Sequence, residues 1–352
     1  MSKLLRVLLA LLFPVLIALL LAGAYLKHYL DSDLQLSSSS ETFVLSRGTG
    51  FSSAVNQAAE RGWLTKPQLL KVYGRLFPEK ANIRAGEYRV SGGTTVGQWL
   101  TMLRDGEVLR HQLTFVEGWT LSQLLSSLDN HPLLAEQALE NSAKLWSQLA
   151  IEEPLANNPE GLFFPDTYDF QRDDLPAELL RRAYRRLVKV LSEEWAARDV
   201  GLPYETPYDA LIMASIIEKE TGVPSERSEI AGVFVRRLQR GMRLQTDPTV
   251  IYGMGEQYRG NIRGRDLRDD SNPYNTYRIN GLPPTPIALA GREAIHAALH
   301  PAPGNSLFFV AKGDGSHQFS ATLAEHEAAV RRYQLQRRSD YRSSPAKSEA
   351  RR

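Results

Sequence analysis

The sequence predicts an α+β protein with a single N-terminal transmembrane helix, a small α+β subdomain and a larger mixed α+β domain. Three observations predict it. Val7 to Leu26 contains no charged residue, and about 20 apolar residues suffice to cross a hydrocarbon core of about 30 Å as a helix. Beyond it, short strand segments alternate with helices that carry capping residues. The 352 residues are 43% hydrophobic and 23% charged, the composition of a folded chain with room for a sizeable core.

Lys3, Arg6 and the terminal amine precede the apolar run, while Asp31 and Asp33 follow it beside Lys27. More positive charge before the span than after it predicts a cytoplasmic N-terminus and an extracytoplasmic remainder. Pro14 lies inside the span, where membrane helices tolerate it. Ala22-Gly23-Ala24 resembles a small-residue cleavage site, but the run is long for a signal-peptide core. Either reading sends the remaining chain to the outer face of the membrane. Net charge is +2, with Lys and Arg spread out except near the C-terminus, so no nucleic-acid partner is expected. The absence of cysteine excludes disulfides, thiolate metal sites, a Cys nucleophile and a lipoprotein, whose lipid is attached to a Cys at the signal-peptide cleavage site.

Residues 31–41 are short, polar and serine-rich, and read as a linker. Thr42 to Leu45 reads as a strand and Phe51 to Arg61 as a helix, with apolar spacing at Phe51, Val55, Ala58 and Ala59. Thr65 and Gln68 form a capping-box pattern with Pro67 in the first turn, opening a helix through Phe77. Gly86 to Val90 closes the group as a strand. Strand, helix, helix, strand is the order of LysM modules, which bind N-acetylglucosamine polymers; a plain structural α+β unit has the same order. Thr94 to Leu103 is a further helix and Arg110 to Val116 a strand. Thr120 caps another helix, and the chain to about Ala156 reads as helical. Gly161 to Tyr168 packs aromatics against Pro and Gly, as a buried turn or as a sugar-stacking wall that includes Tyr168. Leu179 to Ala197 is a basic amphipathic helix. Thr322 and Glu325 cap a last helix to about Gln336, followed by a charged tail read as disordered.

Thr206-Pro207-Tyr208-Asp209 is a strong helix start. The helix then reads Ala210 to Ile217, apolar nearly all round, so it should be buried. It ends in Glu218-Lys219-Glu220-Thr221-Gly222. Burial and the negative end of the helix dipole should both raise the pKa of Glu218, as a general acid for glycoside cleavage requires. A plain ion pair with Lys219 or Arg227 is the alternative, and Glu220 is a weaker competitor for the acid role. Gly232 to Gln239 reads as another helix. Three segments after it read as non-helical and as a cleft wall of amides, hydroxyls and rings. The first offers Gln245, Thr246, Asp247 and Tyr252, the second Asn272, Tyr274, Asn275, Thr276 and Tyr277, and the third Asn280 to Ile287. His296 and His300 have a metal-compatible helical spacing, but no adjacent acid completes a zinc-protease pattern, and no metal or cofactor is expected.

Five motifs together resemble the MltG (YceG-like) family of endolytic murein transglycosylases. They are Glu160-Gly161 through Tyr168, Ala214-Ser215-Ile216-Ile217-Glu218-Lys219-Glu220-Thr221, Gln245-Thr246-Asp247-Pro248-Thr249, Asn272-Pro273-Tyr274-Asn275-Thr276-Tyr277, and Gly281-Leu282-Pro283-Pro284 with Pro286. The resemblance spans nearly the whole chain. It implies an inner-membrane anchor, a LysM-like subdomain and a catalytic domain; placed on this chain these fall at 1–30, at 42–115 with the subdomain's extension, and at 116–336, with the linker at 31–41 between and a charged tail at 337–352 beyond. It implies Glu218 as the catalytic residue, peptidoglycan strands as substrate, and peptidoglycan synthases as further partners. Glu218 would protonate the bond between N-acetylmuramic acid and N-acetylglucosamine, and the muramic acid's own C6 hydroxyl would close a 1,6-anhydro ring. Asp247 is expected to order its loop or bind substrate rather than act as nucleophile. A non-catalytic wall-binding scaffold and a two-carboxylate hydrolase are the alternatives.

Overall fold

A computed structural model describes the backbone of residues 3–335 and the side chains from Leu12 onward; the charged tail lies outside the described residues. The chain divides into two compact units, residues 1–111 with 169–174, and residues 112–168 with the chain from 175 on.

The first unit begins with α1 (Lys3–Leu30), which contains Pro14. Leu12–Leu30 is long and apolar enough to cross a membrane, with mean hydropathy 1.6. Phe13, Leu16 and Leu19 to Leu21 are exposed, unlike the apolar face of a soluble core helix. Next come β1 (Ser40–Leu45), α2 (Phe51–Glu60), α3 (Pro67–Leu76), β2 (Gly86–Ser91) and α4 (Val96–Asp105). β1 and β2 pair antiparallel, from Ser40 opposite Ser91 to Leu45 opposite Gly86. Period-2 alternation turns Phe43, Leu45, Tyr88 and Val90 inward. They meet Trp63 and Trp99, whose rings lie 5.3 and 5.5 Å from Phe43.

Two local expectations change here. Segment 31–41 is held to this core: Leu34 is buried, and the Leu34 and Gln35 amides donate to the carbonyls of Thr94 and Trp63. An apolar residue in a polar stretch was enough to pin it. The Thr65 capping box does not form. Lys66 is the N-cap and makes no side-chain bond, because Pro67 already starts the helix and needs no N–H acceptor. The box forms instead at Thr95 and Gln98, ahead of α4.

After β3 (His111–Thr114) the second unit contains α5 (Leu121–Asp129), α6 (Lys144–Gln148), α7 (Pro176–Ala196), α8 (Pro207–Glu220), α9 (Arg227–Gln239), α10 (Asp247–Met254), α11 (Arg292–Leu299) and α12 (Leu323–Val330). β4 (Thr167–Phe170) pairs with β3, and β5 (Phe308–Ala311) with β6 (His317–Ser320). Segment 130–156 is largely irregular, not helical; Pro132 and Pro154 interrupt backbone bonding there. Conversely, Asp247-Pro248 starts α10 where a non-helical wall was expected, since an acid and a proline in the first turn are helix-start signals.

α8 forms the centre, packed against α7, α9, α10 and α11. Every residue from Ala210 to Ile217 is buried. Ser215 is tolerated there because its hydroxyl donates to the Ile212 carbonyl at 2.7 Å and accepts from the Ile287 amide at 3.0 Å. The capping box at Thr206 and Asp209 fixes the start of α8, and so fixes which residues reach its last turn.

Candidate active site on the last turn of a buried helix

Successive helical residues turn by about 100°, so Glu218 and Glu220 project to opposite sides of α8. The two sides differ in chemistry.

On the first side, the Glu218 side chain is 6% exposed. Its Oε2 accepts from the Gly291 amide at 3.0 Å, and Arg227 Nη2 lies 3.6 Å from Oε1. Arg227 Nε is buried and has no hydrogen-bond partner among the described residues. Glu117 lies over Gly291 so closely that a Cβ there would overlap its carboxylate. The Glu117-Gly118 turn is held by Lys219 Nζ, which donates to the Gly118 carbonyl at 3.1 Å. The Gly118 amide also donates to the Leu289 carbonyl, and the Leu289 amide to the Trp119 carbonyl, at 2.8 Å each. Gly118 has φ 77°, a left-handed conformation that favours glycine. Burial raises the Glu218 pKa above the ordinary carboxyl value. The Gly291 amide opposes that shift, Glu117 adds to it by like charge, and Arg227 counters it.

On the other side, Glu220 faces a cavity of about 550 Å³. Thr246, Asp247, Gln245 and Tyr277 line it. Glu220 Oε1 accepts from the Thr246 hydroxyl, and Tyr277 Oη donates to Asp247 Oδ1 at 2.7 Å. Gln245, at φ 53°, accepts through Oε1 from Arg237 at 3.2 Å. Desolvation and the Asp247 charge push Glu220 up to about 7, against the Thr246 hydrogen bond.

The remaining residues singled out from sequence fall elsewhere. Tyr252 Oη donates to Glu160 Oε2 at 3.0 Å, and its ring packs edge-on to Tyr274 at 4.8 Å. Glu160 also accepts from the Leu121 amide at the start of α5, at 2.9 Å. Burial nevertheless lifts it to about 7. Asn272 accepts from the Tyr274 amide and donates through Nδ2 to the Val250 carbonyl of α10, while Asn275 Nδ2 donates to the carbonyls of Asp266, Leu267 and Asp269 in its own loop. Thr276 Oγ1 accepts from the Thr246 amide at 3.0 Å. Tyr168 is buried against Phe115 at 4.7 Å, its hydroxyl donating to the Phe164 carbonyl.

Sequence reasoning singled out neither Glu117 and Gly291 beside Glu218, nor Glu160 as a titratable group. The signal for Glu117 was weak but present: an acid directly before a Gly-Trp-Thr turn, at the head of a capped helix.

A family model described as the YceG-like family matches residues 43–332. An endolytic murein transglycosylase of Bacillus subtilis is 30% identical over 80% of this chain and 81% of its own length. An enzyme of the same name from Streptococcus pneumoniae is 26% identical over 90% of this chain, which spans 64% of that longer relative. The crystal structure of a YceG-like protein of Listeria monocytogenes matches 83% of this chain and 99% of its own, at 28% identity and a TM-score of 0.50. With the family matched from β1 to the end of α12, this chain belongs to the YceG-like family.

Proposed function

We propose that this protein is an endolytic murein transglycosylase, as its named relatives are, with Glu218 as acid and then base. One observation carries the residue assignment: Glu218 is a desolvated carboxyl whose two charge forms are both provided for. Burial and Glu117 favour the protonated form, while the Gly291 amide and Arg227 stabilise the carboxylate. A group that must give a proton and take one back needs that balance.

In the reaction, protonated Glu218 gives its proton to the oxygen bridging N-acetylmuramic acid and N-acetylglucosamine, and the C1–O bond breaks. The muramic acid C6 hydroxyl bonds to C1, closing a 1,6-anhydro ring, and its proton goes to the Glu218 carboxylate. The acid is regenerated without a positioned water, because the nucleophile is attached to the substrate and its effective concentration is high. Strand cleavage of this kind terminates or trims nascent glycan strands, beside the synthases that make them.

The wider placement follows the same reading. The exposed apolar surface of α1 supports a single-pass anchor in the inner membrane, with the chain beyond α1 on the periplasmic side. The β1-α2-α3-β2 order with its antiparallel pair supports a LysM-like subdomain that holds glycan. Gln245, Thr246, Asp247 and Tyr277 on the Glu220 face of α8, with Tyr252 and Tyr274, are the groups proposed to meet the glycan strand away from the bond that Glu218 cuts; Asn272, Asn275, Thr276 and Tyr168 shape the walls behind them.

A second reading rests on the cavity: Glu220 faces open volume and sits near 7, so it competes for the acid role. The reaction class itself is tested by incubating the full-length protein, in detergent, with purified peptidoglycan and weighing the products. Anhydro-muramic ends are expected. Reducing ends would make the enzyme a hydrolase and sink the proposed chemistry.

A further inference from the structure

α7 and α11 bring together three groups that this reaction does not use: Glu194 on α7, His296 on α11, and His300 at the C-terminal end of α11. One ligand atom from each lies within 4.8 Å of the others. His296 Nδ1 is 2.9 Å from Glu194 Oε2, and the two imidazole rings are 4.3 Å apart.

We propose that Glu194, His296 and His300 form a binding site for a divalent first-row transition metal, with Zn²⁺ the best match. Two imidazoles and one carboxylate suit that class and disfavour Mg²⁺ and Ca²⁺, which prefer all-oxygen shells. Ligand atoms about 2.1 Å from a tetrahedral ion lie about 3.4 Å apart, so small side-chain rotations from the present separations close the site.

Three features beyond the triad favour it. Asp199 Oδ1 lies 3.0 Å from His300 Nδ1; this carboxylate fixes the tautomer that leaves Nε2 free for an ion, as outer-shell acids do for metal-bound histidines. Arg292 Nη1 is 2.6 Å from Glu194 Oε1, which orients that carboxylate and leaves Oε2 toward the histidines. Finally, Glu194 is nearly buried, with its side chain 10% exposed. It stands near the C-terminal end of α7, where the helix dipole favours a cation. His296 is half-exposed, which gives an ion a path in and leaves room for water at the fourth position.

The bound ion joins α7 to α11, the helix whose first turn follows Gly291. It is assigned a structural role, independent of the glycan chemistry. The bland reading is a hydrogen-bonded Glu-His pair with a second histidine stacked beside it, and it predicts no stoichiometric metal binding.

The test is calorimetric titration of Zn²⁺ into untagged, chelator-treated full-length protein in detergent. Co²⁺ absorption in the visible range serves as a second probe. The proposal expects one ion per chain, at least tenfold weaker binding in His296→Ala and in His300→Ala, and loss of a saturable site in the double variant. Glu194→Gln is expected to weaken binding at least tenfold with the circular dichroism unchanged; if that variant unfolds, the histidine variants decide alone. No stoichiometric binding by the wild type, or binding within twofold of wild type in the double histidine variant, overturns the proposal.

Discussion

Glu218 and Glu220 share one turn of α8, and both have raised pKa values, yet their surroundings differ. Glu218 is flanked by groups that serve both of its charge states: an amide, a guanidinium and a second carboxyl. Glu220 is flanked by one hydroxyl and the charge of Asp247, an environment in which burial and like charge raise its pKa and a single hydrogen bond supports its carboxylate. A raised pKa alone therefore does not mark the catalytic group. The ability to hold both forms is the sharper criterion, and it favours Glu218.

The largest expected effect breaks or keeps that comparison directly. Glu218→Gln should lower glycan cleavage by about 10²–10⁴-fold, the usual contribution of a general acid, while Glu220→Gln stays within about tenfold of wild type. Initial rates on purified peptidoglycan check both.

Gly291→Ala comes next. A Cβ there overlaps the Glu117 carboxylate, the flexible end of a side chain, and the backbone φ of −74° suits alanine. The fold should survive with Glu117 displaced beside Glu218. Cleavage is expected to fall by up to about 10²-fold, the cost of a displacement of about 1 Å near the chemistry, with the melting temperature nearly unchanged. Full activity would remove Glu117 from the account.

pH sharpens the other side. The folded-state pKa of Glu220 is raised from 4.5 to about 7. Between those values the unfolded chain loses a proton that the folded chain keeps. Stability therefore falls as pH rises through that window and levels off above it. Glu160 shifts in the same direction, to about 7. Urea unfolding at pH 5 and pH 8 should show wild type less stable at pH 8, and Glu220→Gln should flatten the difference. An unchanged slope would mean that Glu220 is ionised in the fold.

The smallest effects concern residues that serve the walls. Asn275→Ala leaves three carbonyls without their donor and should cost about 1–3 kcal/mol, visible in urea unfolding. Tyr168→Phe removes one hydrogen bond to the Phe164 carbonyl and should cost about 0.5–1.5 kcal/mol, leaving cleavage unaltered.

How far the sequence could be read follows from which interactions are local. The burial of α8 and its Thr206 cap were legible because they depend on residues within a few turns of one another, and the direction of the Glu218 shift followed from that burial, its largest cause. The apolar N-terminal helix was legible for the same reason. The Thr65 cap misled because capping patterns compete: a proline two residues on started the helix without it. Gly291 was not legible and Glu117 only faintly so, since each reaches Glu218 from far along the chain. The two faces of α8 could have been told apart, because residues two apart on a helix diverge; what the sequence withheld was which loop each face meets. Likewise, the acid beside His296 lies on α7, 102 positions away, out of reach of any spacing rule.

The central claim is that Glu218, not Glu220, moves the proton. The most direct measurement compares anhydro-muramic ends released from purified peptidoglycan by full-length wild type, Glu218→Gln and Glu220→Gln, counted by mass spectrometry. The account predicts such ends from wild type and Glu220→Gln and almost none from Glu218→Gln. Their release by Glu218→Gln, together with their loss in Glu220→Gln, would contradict it and move the chemistry to the other face of the helix.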